Sequence, residues 1–203
     1  MLVIVRHGNT FGAEETPRRI GARTDLPLTG RGHEQAGLLG AHFAGMGWQF
    51  SRALVSPLLR TMQTAQAILA AQTGAVSIQT ADFLREIDHG PDENRSEADV
   101  VARIGVSALE SWDKSASPPP GWIVDADGRI AAWQTVLASL TENCPPTLLV
   151  TSNGAARFAL LADSALRSIA PTLPSLKLPT GGYGVIRRLP DGALDVPCWG
   201  QRP

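Results

Sequence analysis

Four short runs of this 203-residue chain carry groups suited to handling anions. The first, Arg6-His7-Gly8-Asn9-Thr10, follows the apolar segment Met1-Leu2-Val3-Ile4-Val5 and places a cation, an imidazole and a flexible glycine at its end. The second, Ser56-Pro57-Leu58-Leu59-Arg60-Thr61-Met62-Gln63-Thr64-Ala65, puts Arg60 in the first turn of an expected helix. That end of a helix attracts anions through its free N–H groups. The third, Leu84-Arg85-Glu86-Ile87-Asp88, supplies a carboxylate, and the fourth, Val150-Thr151-Ser152-Asn153-Gly154, an amide. A lone histidine at a strand end says little, but four polar runs each following an apolar strand imply one shared site.

The elements that must position these runs alternate. Met1–Val5, Ala53–Val55, Val76–Thr80, Thr147–Ser152 and Tyr183–Leu189 read as strands, the first and fourth as continuous buried ones. Between them, Thr29 caps a helix through Gln35, Leu39 and Phe43 that Gly45 and Gly47 stop. Ser56-Pro57 reads as cap and first turn of a second helix that ends at Gly74. Ser96 and Asp99 have capping spacing for a helix reaching Trp112, and another covers about Ile130 to Leu140. Asn153-Gly154 turns into a last helix near Ala155, while residues 9–28, 115–121 and 171–182 are irregular. Alternation of this kind predicts a three-layer α/β/α sandwich on a mostly parallel sheet, one domain over 1–203, with residues 88–128 inserted over one end of the sheet, above the site.

Bulk composition narrows the partners. Hydrophobic residues make up 43% of the chain, enough for one sizeable core, and the net charge is −1. There is no basic excess for a nucleic-acid backbone and no polybasic arm for an anionic membrane. No apolar run has the length of a signal peptide or a membrane span, so a cytoplasmic location is expected. Cys144 and Cys198 lack metal-ligand neighbours and read as reduced thiols, with a disulfide as the alternative in an oxidising compartment. No Asp/His cluster has metal-ligand spacing, and no cofactor is called for; composition leaves the oligomeric state open.

Together the four runs, with Thr24-Asp25-Leu26-Pro27-Leu28-Thr29, Gly32 and Gln35-Ala36 between the first two, resemble the histidine phosphatase superfamily, which includes the cofactor-dependent phosphoglycerate mutases. The resemblance spans residues 1 to about 190 in order and spacing. It implies that His7 is the nucleophile that takes a phosphoryl group, that Arg6 and Arg60 hold the phosphate, and that Glu86 is the proton donor. The chemistry is coherent. A nucleophilic imidazole must be neutral with one nitrogen free, and neighbouring cations discourage its protonation. Arginine offers phosphate a permanently charged fork of donors. A leaving alkoxide needs a proton, which a carboxyl in a partly desolvated pocket can hold near neutral pH. Gly8, Asn9, Thr10, Arg23 and Gly154 are the further expected substrate contacts, with Asp25 fixing its loop and His33 and His42 left to packing or surface. His89 either faces the pocket mouth or is a plain loop histidine.

One departure is important. Where the family has a second histidine in a Ser-His-Gly-like run, this chain has Ser152-Asn153-Gly154. An amide still donates but cannot become cationic. Hydrogen bonds involving charge contribute roughly 1.5–3 kcal/mol against about 0.5–1.5 for neutral ones, so the expected loss is on the order of 1–2 kcal/mol, or roughly tenfold in rate. Arg157, four residues on, could reach back with the missing charge or sit on a helix surface. The resemblance therefore implies a metal-independent phosphomonoesterase acting on a small phosphorylated molecule. A phosphate-binding pseudoenzyme is the main alternative, and a mutase, which must retain a bisphosphate, is a weaker one. Substrate choice should lie in the insertion, where Asp92-Glu93-Asn94-Arg95 and Trp112, Trp122 and Trp133 offer polar and aromatic contacts or simply build core.

Overall fold

The computed structural model describes Met1–Pro203 as a six-stranded sheet packed on both faces by helices. The strands are β1 (Leu2–Arg6), β2 (Arg52–Val55), β3 (Ile78–Thr80), β4 (Thr147–Thr151), β5 (Tyr183–Arg188) and β6 (Leu194–Gln201), in the spatial order β3-β2-β4-β1-β5-β6. The first four are mutually parallel, and β5 and β6 add antiparallel. The helices are α1 (Gly30–Gly45), α2 (Leu59–Leu69), α3 (Glu97–Ser115), α4 (Ala126–Ala138), α5 (Asn153–Ala156) and α6 (Ser164–Ile169).

Alternation along the strands divides the core. Val3, Val5, Ala53, Val55, Leu148 and Val150 face Leu39 and Phe43 of α1 and Ala65 and Ile68 of α2. Leu2, Ile4, Leu54 and Leu149 point the other way, towards Trp112, Trp133, Leu137, Phe158 and Leu166. A period of two on a sheet covered on both sides explains why these strands are continuously apolar in sequence.

Local chemistry accounts for most helix ends and corrects several expectations. Thr29 Oγ1 accepts from Gly32 N at 3.1 Å and caps α1 as expected. Ser56-Pro57, however, lies before α2, whose N-cap residue is Leu58 with no side-chain cap of its own. The donor at Leu59 N is satisfied across space by Asp25 Oδ1 at 2.7 Å, and the helix ends at Leu69, short of Gly74. The Ser96–Asp99 capping box forms at α3, and Gly105 interrupts that helix with φ of 79°. α4 begins at Ala126, four residues ahead of Ile130, because Asp125 caps it through Gly128 N. β3 is confined to Ile78–Thr80, α5 starts at Asn153 itself, and β6 has no counterpart in the sequence reading. Both cysteines are free. No helix is long and apolar enough to cross a membrane.

Candidate active site

All four polar runs emerge at the carboxyl ends of the parallel strands, where a crevice in an open α/β sheet takes its ligand. His7 follows β1, Arg60 enters α2 after β2, Glu86 lies beyond β3, and Asn153 follows β4. Arg6, His7, Asn9, Thr10, Glu86, His89, Trp112, Asn153 and Gly154, among others, line a cleft of about 360 Å³, while Arg60 is not on its wall and joins the site through His7.

The His7 ring is oriented at both nitrogens. Nδ1 lies 2.8 Å from Gly8 O, which can only accept, so Nδ1 carries the proton. Nε2 is therefore the bare nitrogen, and it receives Arg60 Nε at 3.3 Å. Burial, then the charges of Arg60 and Arg6, holds the imidazole well below its ordinary value of 6.5, so the ring is neutral. The backbone of His7 is pinned as well: its N–H reaches Thr151 O of β4 and its carbonyl receives Gly181 N.

Arg60 is fully buried behind the imidazole. Its Nη1 donates to Thr24 O at 2.7 Å and its Nη2 to Gly21 O at 3.2 Å, which leaves a free N–H on each terminal nitrogen. Arg6 lines the cleft and is held by Leu178 O at 2.9 Å. The same residue also binds Asn153: Leu178 N donates to Asn153 Oδ1 at 3.1 Å. That bond settles the amide's orientation and leaves its NH₂ group as the end available to the cleft. Leu178 thus orients two expected site residues, and nothing in its side chain marks it for the part.

Glu86 is 7% exposed, with Oε1 accepting from Ile87 N at 3.0 Å and Oε2 from Gly154 N at 3.1 Å. The turn that carries it is clamped by Arg129, which donates to Phe83 O, Arg85 O and Val124 O. Burial lowers Arg6, Arg60, Arg129 and Arg157 alike, and the Glu86 carboxylate is the main opposing charge for each.

Several expected contacts take other parts. Gly8 lies behind the cleft, where its N–H reaches Thr64 Oγ1 and a Cβ would overlap Gly32 O. Asn9 lines the cleft, but its NH₂ group is spent on Phe11 O at 2.6 Å and Thr29 Oγ1 at 3.3 Å. Thr10 lines it with no such commitment. Gly154 supports Glu86, and a Cβ there would overlap that carboxylate. Arg23 is turned outward, bonded to Asp88 Oδ1 at 3.0 Å and Gly90 O at 2.5 Å, because the loop beyond Glu86 supplies both acceptors.

Arg157 does not reach back to the cleft. It is wholly buried under Trp112, its guanidinium carbon 4.2 Å from the ring centroid, and bonded to Trp112 O. Burial pushes it down to about 10, against the opposing charges of Glu86 and Asp113. Within residues 88–128, Trp112, His89 and Glu97 border the cleft and Trp122 is core; Trp133, past that segment in α4, is core as well. Asp92 and Glu93 turn inward, onto Arg103 and Trp122 and onto Gly21 and Thr24 respectively. Arg18 and Arg19, in the irregular segment 9–28 and outside every matching motif, stand on the cleft wall. No group of three or more His, Cys, Asp or Glu side chains is placed to hold a metal ion.

Comparison with known proteins agrees with this architecture. A family model described as histidine phosphatase superfamily (branch 1) matches residues 2–192. A 2,3-bisphosphoglycerate-dependent phosphoglycerate mutase of Rhizobium etli is 31% identical over 196 residues, covering 92% of this chain and 90% of that protein. One from Porphyromonas gingivalis is 26% identical over 129 residues, covering 63% of this chain and 51% of that longer protein. Among solved structures, a mycobacterial glucosyl-3-phosphoglycerate phosphatase superposes with a TM-score of 0.77 at 19% identity, covering 100% of this chain and 99% of its own. Bacillus stearothermophilus YhfR gives 0.76 at 20% identity, covering 100% and 97%.

Proposed function

Because the chain belongs to the histidine phosphatase superfamily (branch 1), we propose that it is a metal-independent phosphomonoester hydrolase working through a phosphohistidine on His7. The observation that carries this reading is the His7 ring: neutral, its proton fixed on Nδ1 by Gly8 O, its Nε2 lone pair beside a buried guanidinium.

In the first step the Nε2 lone pair forms the N–P bond as the P–O bond to the leaving group breaks. Arg60 Nε, which now rests on that lone pair, is released to a phosphoryl oxygen, with Arg6 and the Asn153 NH₂ group as further donors. Glu86, entering as the carboxylic acid, passes its proton to the leaving oxygen. In the second step water attacks phosphorus, its proton goes to the Glu86 carboxylate, and the N–P electrons return to Nε2 as phosphate departs. The substrate class is a small phosphorylated molecule, in keeping with the names of the relatives.

Two other readings have a specific observation each. The Rhizobium relative is named a mutase, and Asn153 removes a charge that turnover uses in the family. Incubation with p-nitrophenyl phosphate and a panel of sugar and nucleotide phosphates separates the three. Hydrolysis that survives a chelator and disappears in His7→Ala supports the hydrolase. Transfer to a second substrate hydroxyl identifies a mutase. Phosphate binding without turnover or label identifies a pseudoenzyme and overturns the proposal.

A further inference from the structure

His89 is the one buried titratable group on the cleft wall that the mechanism above leaves unused. It is 5% exposed and borders the same cleft as His7, Arg6 and Asn153. Its ring is fixed edge-to-face on Trp122, with centroids 4.6 Å apart. Nδ1 is buried, has no hydrogen-bond partner and faces Glu93 Oε2 at 3.6 Å, an ion-pair distance. Nε2 makes no hydrogen bond, and the ring borders the cleft.

The carboxylate behind the ring is built in. Glu93 accepts from His89 N at 3.2 Å, Gly21 N at 2.8 Å and Thr24 Oγ1 at 2.7 Å. Burial works against its ionisation, but donation from His89, Thr24 and Gly21 prevails and holds Glu93 at about 2. Gly21 allows the close approach, since a Cβ there would fall 2.6 Å from His89 Nδ1. Its carbonyl in turn receives the Arg60 guanidinium that touches His7 Nε2. One chain of contacts therefore runs from the nucleophile to His89.

We propose that His89 is a further catalytic residue of this site: its Nε2–H hydrogen-bonds a phosphoryl oxygen during transfer, with Glu93 as counterion, supplying the second cationic imidazole that Asn153 cannot. No covalent step is added; the ring donates a hydrogen bond and keeps its proton. The role rests on the phosphohydrolase reading above. Charged groups facing the ring pair are Glu93 behind it, Arg60 across Gly21, Arg19 over Trp122, the Asp92–Arg103 pair beneath Trp122, and Arg6 and Glu86 across the cleft. Asp88, next in sequence, is occupied by Arg23.

The test compares parent, His89→Gln and Glu93→Gln proteins in hydrolysis and in calorimetric binding of orthovanadate, which takes the shape of the transferring phosphoryl group. His89→Gln keeps a neutral donor but no charge, so kcat and vanadate affinity should each fall about tenfold while KM moves little. Adding Asn153→His to His89→Gln should restore most of the lost rate. The inference is overturned if His89→Gln stays within twofold of the parent in both readouts, or if Asn153→His restores nothing. If the parent does not turn over, the hydrolase reading fails separately and vanadate binding still decides the part of His89. Should His89→Gln fold poorly, the same comparison on Glu93→Gln, which keeps the ring and removes its counterion, decides it: an unchanged rate and vanadate affinity would overturn the inference.

Discussion

Replacing Gly154 by alanine should disable the acid and leave the nucleophile intact. Gly154 N–H donates to Glu86 Oε2 at 3.1 Å, and a Cβ on this residue would overlap Oε1 and stand 3.1 Å from Cδ. Ile87 Cγ1 is also only 3.2 Å from that Cβ. The carboxylate is the movable partner, so it must withdraw by about 1 Å to regain van der Waals separation. A displacement of that size can cost on the order of 10²-fold when it falls on a reacting group. The fold should tolerate the change, because Gly154 sits in a helical turn, where alanine is intrinsically favoured by about 1 kcal/mol. The loss should depend on the leaving group. An alkyl phosphate needs a proton delivered to its departing oxygen, whereas nitrophenolate departs without one. Side-by-side kcat/KM values for a sugar phosphate and p-nitrophenyl phosphate should therefore fall about 10²-fold and less than threefold respectively. Equal losses on both substrates would show that Gly154 supports the phosphoryl site, and the assignment of Glu86 as acid would be wrong.

Other consequences follow from the same geometry. Gly8→Ala drives a methyl into the Gly32 carbonyl, a backbone neighbour with no freedom to yield, and should cost about 1–3 kcal/mol in urea unfolding. Asn153→His should raise hydrolysis by up to about tenfold, with the larger gain in a His89→Gln background, since the two rings serve one charge. Stability should fall on acidification in two stages, read from urea midpoints between about pH 7.5 and 3. The native state keeps His7 neutral while the unfolded chain binds a proton below 6.5, so stability declines from there downwards. Glu93 stabilises fully above its ordinary 4.5 and loses that contribution as pH falls towards about 2. His7→Gln should remove the upper stage alone.

The sheet and the positions of the four polar runs were legible because they rest on local signals. Continuous apolar runs announce strands buried on both faces, and a polar residue after each marks its carboxyl end. What escaped was contributed across space. Asp25 caps α2, Leu178 holds Arg6 and Asn153 through its backbone, and Arg129 clamps the Glu86 turn, yet none adjoins the group it serves. β6 was hidden by Pro197 and Gly200, which interrupt its pattern and are tolerated because it is the edge strand. Gly8 and Gly154 belong to the matching motifs, and at each a side chain would strike a neighbour, Gly32 O for Gly8 and the Glu86 carboxylate for Gly154.

Charge balance gives a physical reason why an amide at position 153 is workable. Arg60, Arg129 and Arg157 are buried and Arg6 is half-buried, and Glu86 is the main opposing charge common to all four. A cationic ring at 153 would share that one carboxylate with the four guanidinium groups. His89 does not add to that load, because Glu93 comes with it and stays ionised throughout. Charge delivered together with its own counterion is neutral to the resting site and becomes useful only when a phosphoryl group arrives between the arginines. On the proposal made for His89, the asparagine at 153 and the buried His89–Glu93 pair would be two halves of one arrangement.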